Sequence, residues 1–312
     1  MSTMRDAFFD KLYTLARKDP DVVLVDADMG APSLDKFRRD VPAQFVNVGI
    51  AEQNAISVAA GLAFEGKKAF AYAIAPFITL RCYEQIKVNM CSMKIPVTAV
   101  GVGAGFSYED SGPTHHTTED IAIMRALPNI TIMNATDNTM AERCAEIACN
   151  SKIPMYVRLD REPLPTIYDK KETFEDGVSQ IKKGKDICIV ATGNMVHKAI
   201  EVADILKKEM INVSVVDLYR LKPVNKKLLL KYINQSDKVV TLEEHLIDGG
   251  LGSIVAEVFV DNNVTKPLKR MAIPDKYCYT YGGREAIRRT IDLDTDSVVK
   301  NILKFSDKKK MK

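Results

Sequence analysis

No stretch of this chain approaches the roughly 20 consecutive apolar residues that a membrane-spanning helix needs, and the N-terminus has no apolar signal core. A membrane protein is not expected, and cytoplasm is the default compartment. The six cysteines (Cys82, Cys91, Cys144, Cys149, Cys188 and Cys278) form no C-x-x-C pair and no zinc spacing. They read as reduced, mostly buried side chains. The four histidines are too scattered for a metal site, although two of them are adjacent. Charge of one sign is also lacking: 44 Lys and Arg face 41 Asp and Glu, for a net +3. That balance predicts neither a nucleic-acid nor a membrane partner. A basic run at 308–312 reads as a solvated, frayed end. No repeat or low-complexity segment is present.

What is there is an ordinary globular composition, 46% hydrophobic and 27% charged over 312 residues, long enough for two domains. Short apolar runs rich in β-branched residues occur at 22–26, 68–73, 96–101, 130–134 and 155–159, and a strand-like run covers 45–48. Helical patterns separate them at 5–18, 52–64, 77–93 and 138–151. Such alternation predicts a parallel sheet covered on both faces. A polar stretch at 160–185 interrupts the rhythm with Pro163, Pro165, Gly177 and Gly184. Strands at 187–191, 213–217 and 238–243 then alternate with helices ending near 208, around 226–233 and at 251–260. The fold class expected is α/β in two domains: 1–165, a linker at 166–185, and a smaller α/β domain at 186–312.

Four segments carry residues with chemical potential. Residues 46–55 read Val-Asn-Val-Gly-Ile-Ala-Glu-Gln-Asn-Ala, which places Glu52 at a helix start, just beyond the turn at Gly49. Ligands of parallel α/β layers gather at that edge, although a carboxylate there can also serve simply as a partner of the helix dipole. Residues 75–87 read Ala-Pro-Phe-Ile-Thr-Leu-Arg-Cys-Tyr-Glu-Gln-Ile-Lys and contain Phe77, Arg81 and Tyr83. The loop 101–118 is glycine-rich, but Phe106 stands where the spacing G-x-G-x-x-G needs glycine, so a dinucleotide reading fails. It contains Ser111 and Gly-Pro-Thr-His-His at 112–116. Residues 157–161, Val-Arg-Leu-Asp-Arg, end the first domain's last strand at Arg161, a side chain suited to an anion or to an interdomain salt bridge.

These segments, in this order, resemble the pyrimidine-binding domain of transketolases and deoxyxylulose-phosphate synthases. Ala-Thr-Gly-Asn-Met at 191–195 and Glu-Glu-His-Leu-Ile-Asp-Gly-Gly-Leu-Gly at 243–252 resemble the transketolase C-terminal domain; their glycines read as turn positions without a catalytic role. The resemblance runs from about residue 3 to residue 290. No Gly-Asp-Gly motif of the preceding, diphosphate-binding domain is present, so the chain resembles the C-terminal section of a split, two-subunit transketolase.

The resemblance implies thiamine diphosphate as cofactor. Glu52 would hydrogen-bond the aminopyrimidine ring, which requires its proton and so a dry, apolar pocket. Phe77 would stack on that ring, with Arg81 and Tyr83 nearby. His115 would reach the sugar as a catalytic group, Arg161 would hold the substrate's phosphate, and Ser111 would stand beside a sugar hydroxyl. Mg2+ would be held by a partner, the N-terminal transketolase subunit, with this chain as the homodimer core of a heterotetramer. The implied activity is transfer of a two-carbon ketol unit from a ketose phosphate to an aldose phosphate, as in pentose phosphate metabolism.

One departure stands out. Residues 95–114 contain no Lys, Arg or His, and Gly103 occupies the place of the family's phosphate-binding base. A nonstandard ketose is the alternative this suggests. A deoxyxylulose-phosphate synthase-like enzyme, a 2-oxoacid dehydrogenase beta-type subunit and a non-catalytic assembly subunit are further alternatives.

Overall fold

Apolar runs too short to be helices and bounded by turns form the strands of two sheets. The computed structural model describes residues 2–306, so the basic run at 308–312 lies outside the described residues. The strands are β1 (Val22–Asp26), β2 (Phe45–Asn47), β3 (Lys68–Ile74), β4 (Thr98–Val102), β5 (Thr131–Asn134), β6 (Met155–Leu159), β7 (Ser179–Lys182), β8 (Ile187–Ala191), β9 (Val213–Asp217), β10 (Arg220–Lys222), β11 (Lys238–Leu246) and β12 (Leu268–Ile273). The first sheet has the order β10-β5-β6-β4-β3-β1-β2 and the second β12-β11-β8-β9-β7. Both are parallel except at one edge each, where β10 runs antiparallel to β5 and β7 antiparallel to β9. The protein is thus α/β with two parallel-dominated sheets. β1, β4, β6, β8 and β9 are buried at every position, because helices cover both faces.

Two packing solutions frame the first sheet. On one face the helix Glu52–Phe64 presents Ala55, Ile56, Ala59, Ala60 and Ala63 to Ala69, Ala71 and Ala73 of β3. Alanine against alanine lets helix and strand approach closely, which fixes where the helix begins and therefore where Glu52 points. On the other face the helix Met4–Ala16 packs Phe8 and Phe9 against Phe70 and Tyr72, with the Phe9 and Tyr72 rings 4.5 Å apart. Burying an aromatic of this size stabilises by about 2–3 kcal/mol.

Three expectations differ from what the chain does. The helix expected at 77–93 is broken into Ala75–Thr79, a turn, Tyr83–Gln85 and a π-helical stretch Ile86–Ser92. Thr79 Oγ1 bonds back to the Ala75 carbonyl at 2.5 Å, and the Arg81 amide reaches the Pro76 carbonyl at 3.4 Å, five residues back. Within the segment expected to be linker, β7 joins the second sheet. From within the expected second domain, β10 crosses to the first sheet. Among the described residues no helix is long and apolar enough to cross a membrane.

Candidate active site

The turn after β2 sets the first functional group. Gly49 has φ +74, a left-handed conformation that only glycine adopts cheaply, and its amide is held by Asn47 Oδ1 at 2.8 Å. The chain then enters the helix with Glu52 in its first turn, only 4% exposed. Its partner is not an apolar wall. Arg81 donates Nη1–H to Glu52 Oε2 at 2.7 Å, and the same guanidinium lies over the Phe77 ring with Cζ 4.3 Å from the centroid. The dry pocket expected around Glu52 is therefore closed on one side by a cation.

Phe77 leads on to the Gly-rich loop. Its ring meets that of His115 at 5.0 Å with the planes 69° apart. His115 Nδ1 is paired with Thr114 Oγ1 at 2.9 Å. Burial pushes the His115 pKa below its ordinary value, and the Arg81 charge adds to the effect. On its other flank His115 lies 5.9 Å from the Tyr108 ring, over which Arg161 Cζ stacks at 4.7 Å. Glu52, Arg81, Phe77, His115, Tyr108 and Arg161 thus form one continuous series of contacts. Four segments distant in sequence supply it.

Tyr83 and Ser111 stand apart from this series. Tyr83 is half-buried and packs into the apolar core beneath the first sheet. Ser111 is exposed; its amide donates to the Tyr108 carbonyl and its carbonyl accepts from Thr114 Oγ1. His116, the second histidine of the pair, is buried edge-on to Phe106 at 4.9 Å.

Three groups were not legible in the sequence as site residues. Tyr108 is one. It fills the space over Gly103, where a Cβ would lie 2.3 Å from the ring and where φ is +100. An aromatic residue just after a glycine-rich run is the signal that was available. Tyr277 and Tyr279 of the second domain are the others. With Phe77, Arg81, Thr114 and His116 they line a cavity of about 380 Å3 beside the Phe77 ring.

A buried ionic cluster holds the loop in place from behind. Phe106 donates its amide to Glu244 Oε2 at 3.0 Å, Ser107 Oγ donates to Asp160 Oδ1 at 2.9 Å, and Arg284 Nη2 donates to the Ala104 carbonyl at 3.0 Å. Arg284 binds both Asp160 and Glu244, and Arg288 Nε donates to Glu244 Oε1 at 2.6 Å. Asp160 and Glu162, not Arg161 between them, pair with Arg284 of the second domain, and Arg161 is exposed at the site. Glu243 accepts from the Leu251 and Gly252 amides at 2.6 and 2.7 Å, and a Cβ at Gly250 would lie 2.1 Å from its Oε2, which explains that glycine structurally.

A flat ring could rest on Phe77 with a polar edge toward Glu52, and the guanidinium already does both, so these residues fit an aminopyrimidine. The sequence profile of the transketolase pyrimidine binding domain matches residues 1–166, and that of the transketolase C-terminal domain matches residues 177–298. The chain belongs to the transketolase family. It is 34% identical over 312 residues to one subunit of the apulose-4-phosphate transketolase of Phocaeicola vulgatus, covering 99% of each chain. It is 36% identical over 304 residues to a putative transketolase C-terminal section of Methanocaldococcus jannaschii, covering 96% of this chain and 95% of the relative. A solved structure described as a split gene transketolase, inactive beta4 tetramer, superimposes with a TM-score of 0.88 at 34% identity, covering 97% of this chain and 98% of that one. The transketolase family depends on thiamine diphosphate.

Proposed function

We propose that this chain is the C-terminal subunit of a split, thiamine-diphosphate-dependent transketolase. It transfers a two-carbon ketol unit from a ketose phosphate to an aldose phosphate, together with a partner subunit that holds the cofactor's diphosphate and Mg2+. The observation that carries the reading is the contact series from the buried carboxylate of Glu52 through the Phe77 face to His115. Relatives of matching length are named as one subunit of a transketolase and as a transketolase C-terminal section, which supports a division between two chains. The first of those names includes apulose 4-phosphate, which supports a ketose phosphate as donor.

When bound, thiamine diphosphate would supply the carbon nucleophile for ketol transfer. Phe77 would support the aminopyrimidine ring by stacking, and Glu52 would hydrogen-bond a ring nitrogen and so fix its tautomer. Burial and then the Arg81 charge push the His115 pKa down, and its ring would exchange a proton with a sugar oxygen. Arg161, exposed and braced on Tyr108, would bind the distal phosphate as an anion. With no base at 95–114, that grip falls to Arg161 and to the partner, which favours a ketose whose charged end lies on the Arg161 side.

The test is ketol transfer by this chain alone and after co-purification with the product of its neighbouring gene, using thiamine diphosphate, Mg2+, xylulose 5-phosphate and ribose 5-phosphate. Transfer by the mixture only is expected, and Glu52→Gln should lower it by at least about a hundredfold without disturbing assembly. Near-normal transfer by that variant would sink the assignment. Stable assembly without transfer on any ketose tried would favour the non-catalytic subunit.

A further inference from the structure

Arg81 satisfies two groups at once. Its guanidinium rests on the Phe77 ring at 4.3 Å and donates to the buried carboxylate of Glu52 at 2.7 Å. A planar, delocalised, donor-bearing group on an aromatic face, with one edge against a carboxylate, has the shape and polarity of a protonated or amino-substituted heterocycle. Two such groups cannot share the same ring face and the same carboxylate oxygen. Resting on the reading of this site as the pyrimidine site, we propose that Arg81 is a placeholder for the cofactor's aminopyrimidine ring, filling the ring's position until it rotates out to admit it.

The surroundings suit that exchange. Arg81 stands in the turn between the helices Ala75–Thr79 and Tyr83–Gln85, so its side chain is not locked between successive helical turns. Its backbone carbonyl is held by Gln53 Nε2 at 3.1 Å, next to Glu52 itself. The movement is therefore a rotation of the side chain about a pinned backbone. The Arg81 side chain is 45% exposed while that of Glu52 is only 4% exposed. Turning outward returns the guanidinium to water at small cost, whereas the carboxylate cannot follow and must have a new partner. The arginine thus protects Glu52 in the unloaded chain, and the incoming ring must outcompete it. Affinity for the cofactor is lowered by the strength of the contact displaced.

The experiment is calorimetric titration of thiamine diphosphate, with Mg2+ present, into the assembly of this chain with its native partner. Wild type is compared with Arg81→Met, which keeps the stem without the charge, and Arg81→Lys, which keeps the charge without the plane. Arg81→Met is expected to bind about two- to fivefold more tightly than wild type, the worth of a partly exposed ion pair. Arg81→Lys should fall between them. The unloaded Arg81→Met assembly should melt lower than wild type, and saturation with cofactor should remove that difference. Equal or weaker binding by Arg81→Met overturns the placeholder while leaving the pyrimidine site standing. Failure of both wild type and variant to bind overturns the pyrimidine-site reading and the placeholder with it.

Discussion

Arg284 holds Asp160 with both arms of its guanidinium, Nη1 to Oδ1 at 3.1 Å and Nη2 to Oδ2 at 2.8 Å, although 124 residues separate them. The pair joins the end of β6 to the helix Arg284–Arg289 of the second domain. Burial alone would raise the pKa of Asp160, and Arg284 outweighs it to hold the carboxyl below its ordinary range. Glu244 is held down in the same way by Arg284 and Arg288 against its burial.

Removing the arginine leaves two buried carboxylates without their main counter-charge. Arg284→Met is therefore expected to destabilise by about 3–5 kcal/mol. Urea unfolding at neutral pH reads this directly; a loss below about 1 kcal/mol would mean that the cluster is dispensable. The loop residues Ala104, Phe106 and Ser107 hang from the same cluster, so turnover should fall in the folded fraction as well.

Gly103 offers a sharper probe of the loop itself. An alanine there would combine a left-handed backbone with a Cβ placed 2.3 Å from the Tyr108 ring. Gly103→Ala should cost about 1–3 kcal/mol and push Tyr108 off its seat under Arg161. Thermal melting gives the first number, and a higher KM for the ketose gives the second effect. A variant with unchanged melting and KM would show that the loop repacks freely.

Arg161 should act on substrate and not on cofactor. Arg161→Ala is expected to raise KM for a phosphorylated ketose by about tenfold or more, since a charge-assisted hydrogen bond is lost. Thiamine diphosphate affinity should stay close to that of wild type. An equal effect on phosphorylated and unphosphorylated ketoses would remove Arg161 from the phosphate.

Stability should also respond to pH through Asp217. Burial raises its pKa to about 7, and its Oδ2 accepts from Thr136 Oγ1 at 2.6 Å and Tyr168 Oη at 2.8 Å. Burial likewise raises Glu243 to about 7. Between an unfolded value near 4 and that folded value, the native chain binds more protons than the unfolded one. The stability these groups contribute is therefore complete below about pH 4 and is lost as pH rises through 7. Asp217→Asn keeps an acceptor and removes the titration. It should lessen the fall in stability between pH 5 and pH 8 by up to about 2–3 kcal/mol. An identical pH profile in variant and wild type would exclude Asp217 as the source.

The strands most legible from sequence are the central ones. β1, β6, β8 and β9 occupy the very residues that their apolar runs marked, because burial on both faces favours apolar side chains at most positions of each strand. Of the four edge strands only β2 was marked; β7, β10 and β12 escaped. β7 (Ser-Gln-Ile-Lys) and β10 (Arg-Leu-Lys) are short and half-solvated, so their sequences carry no strand signal. The break in the helix after Phe77 escaped as well, since the π-helical stretch keeps its apolar residues at helical spacing.

The sequence by itself determined the alternation of strands and helices, the α/β class, and the local chemistry of each segment: a carboxylate at a helix start, an aromatic near another, a histidine in a glycine-rich loop. Those are properties of neighbours along the chain. Only the tertiary structure decided that Arg81 faces Glu52 across 29 residues, that Tyr108 covers Gly103 and braces Arg161, and that Tyr277 and Tyr279 reach the first domain's cavity. Contacts of that kind depend on how the sheets and loops stack, and a planar cation on an aromatic face leaves no periodic trace in the sequence that makes it.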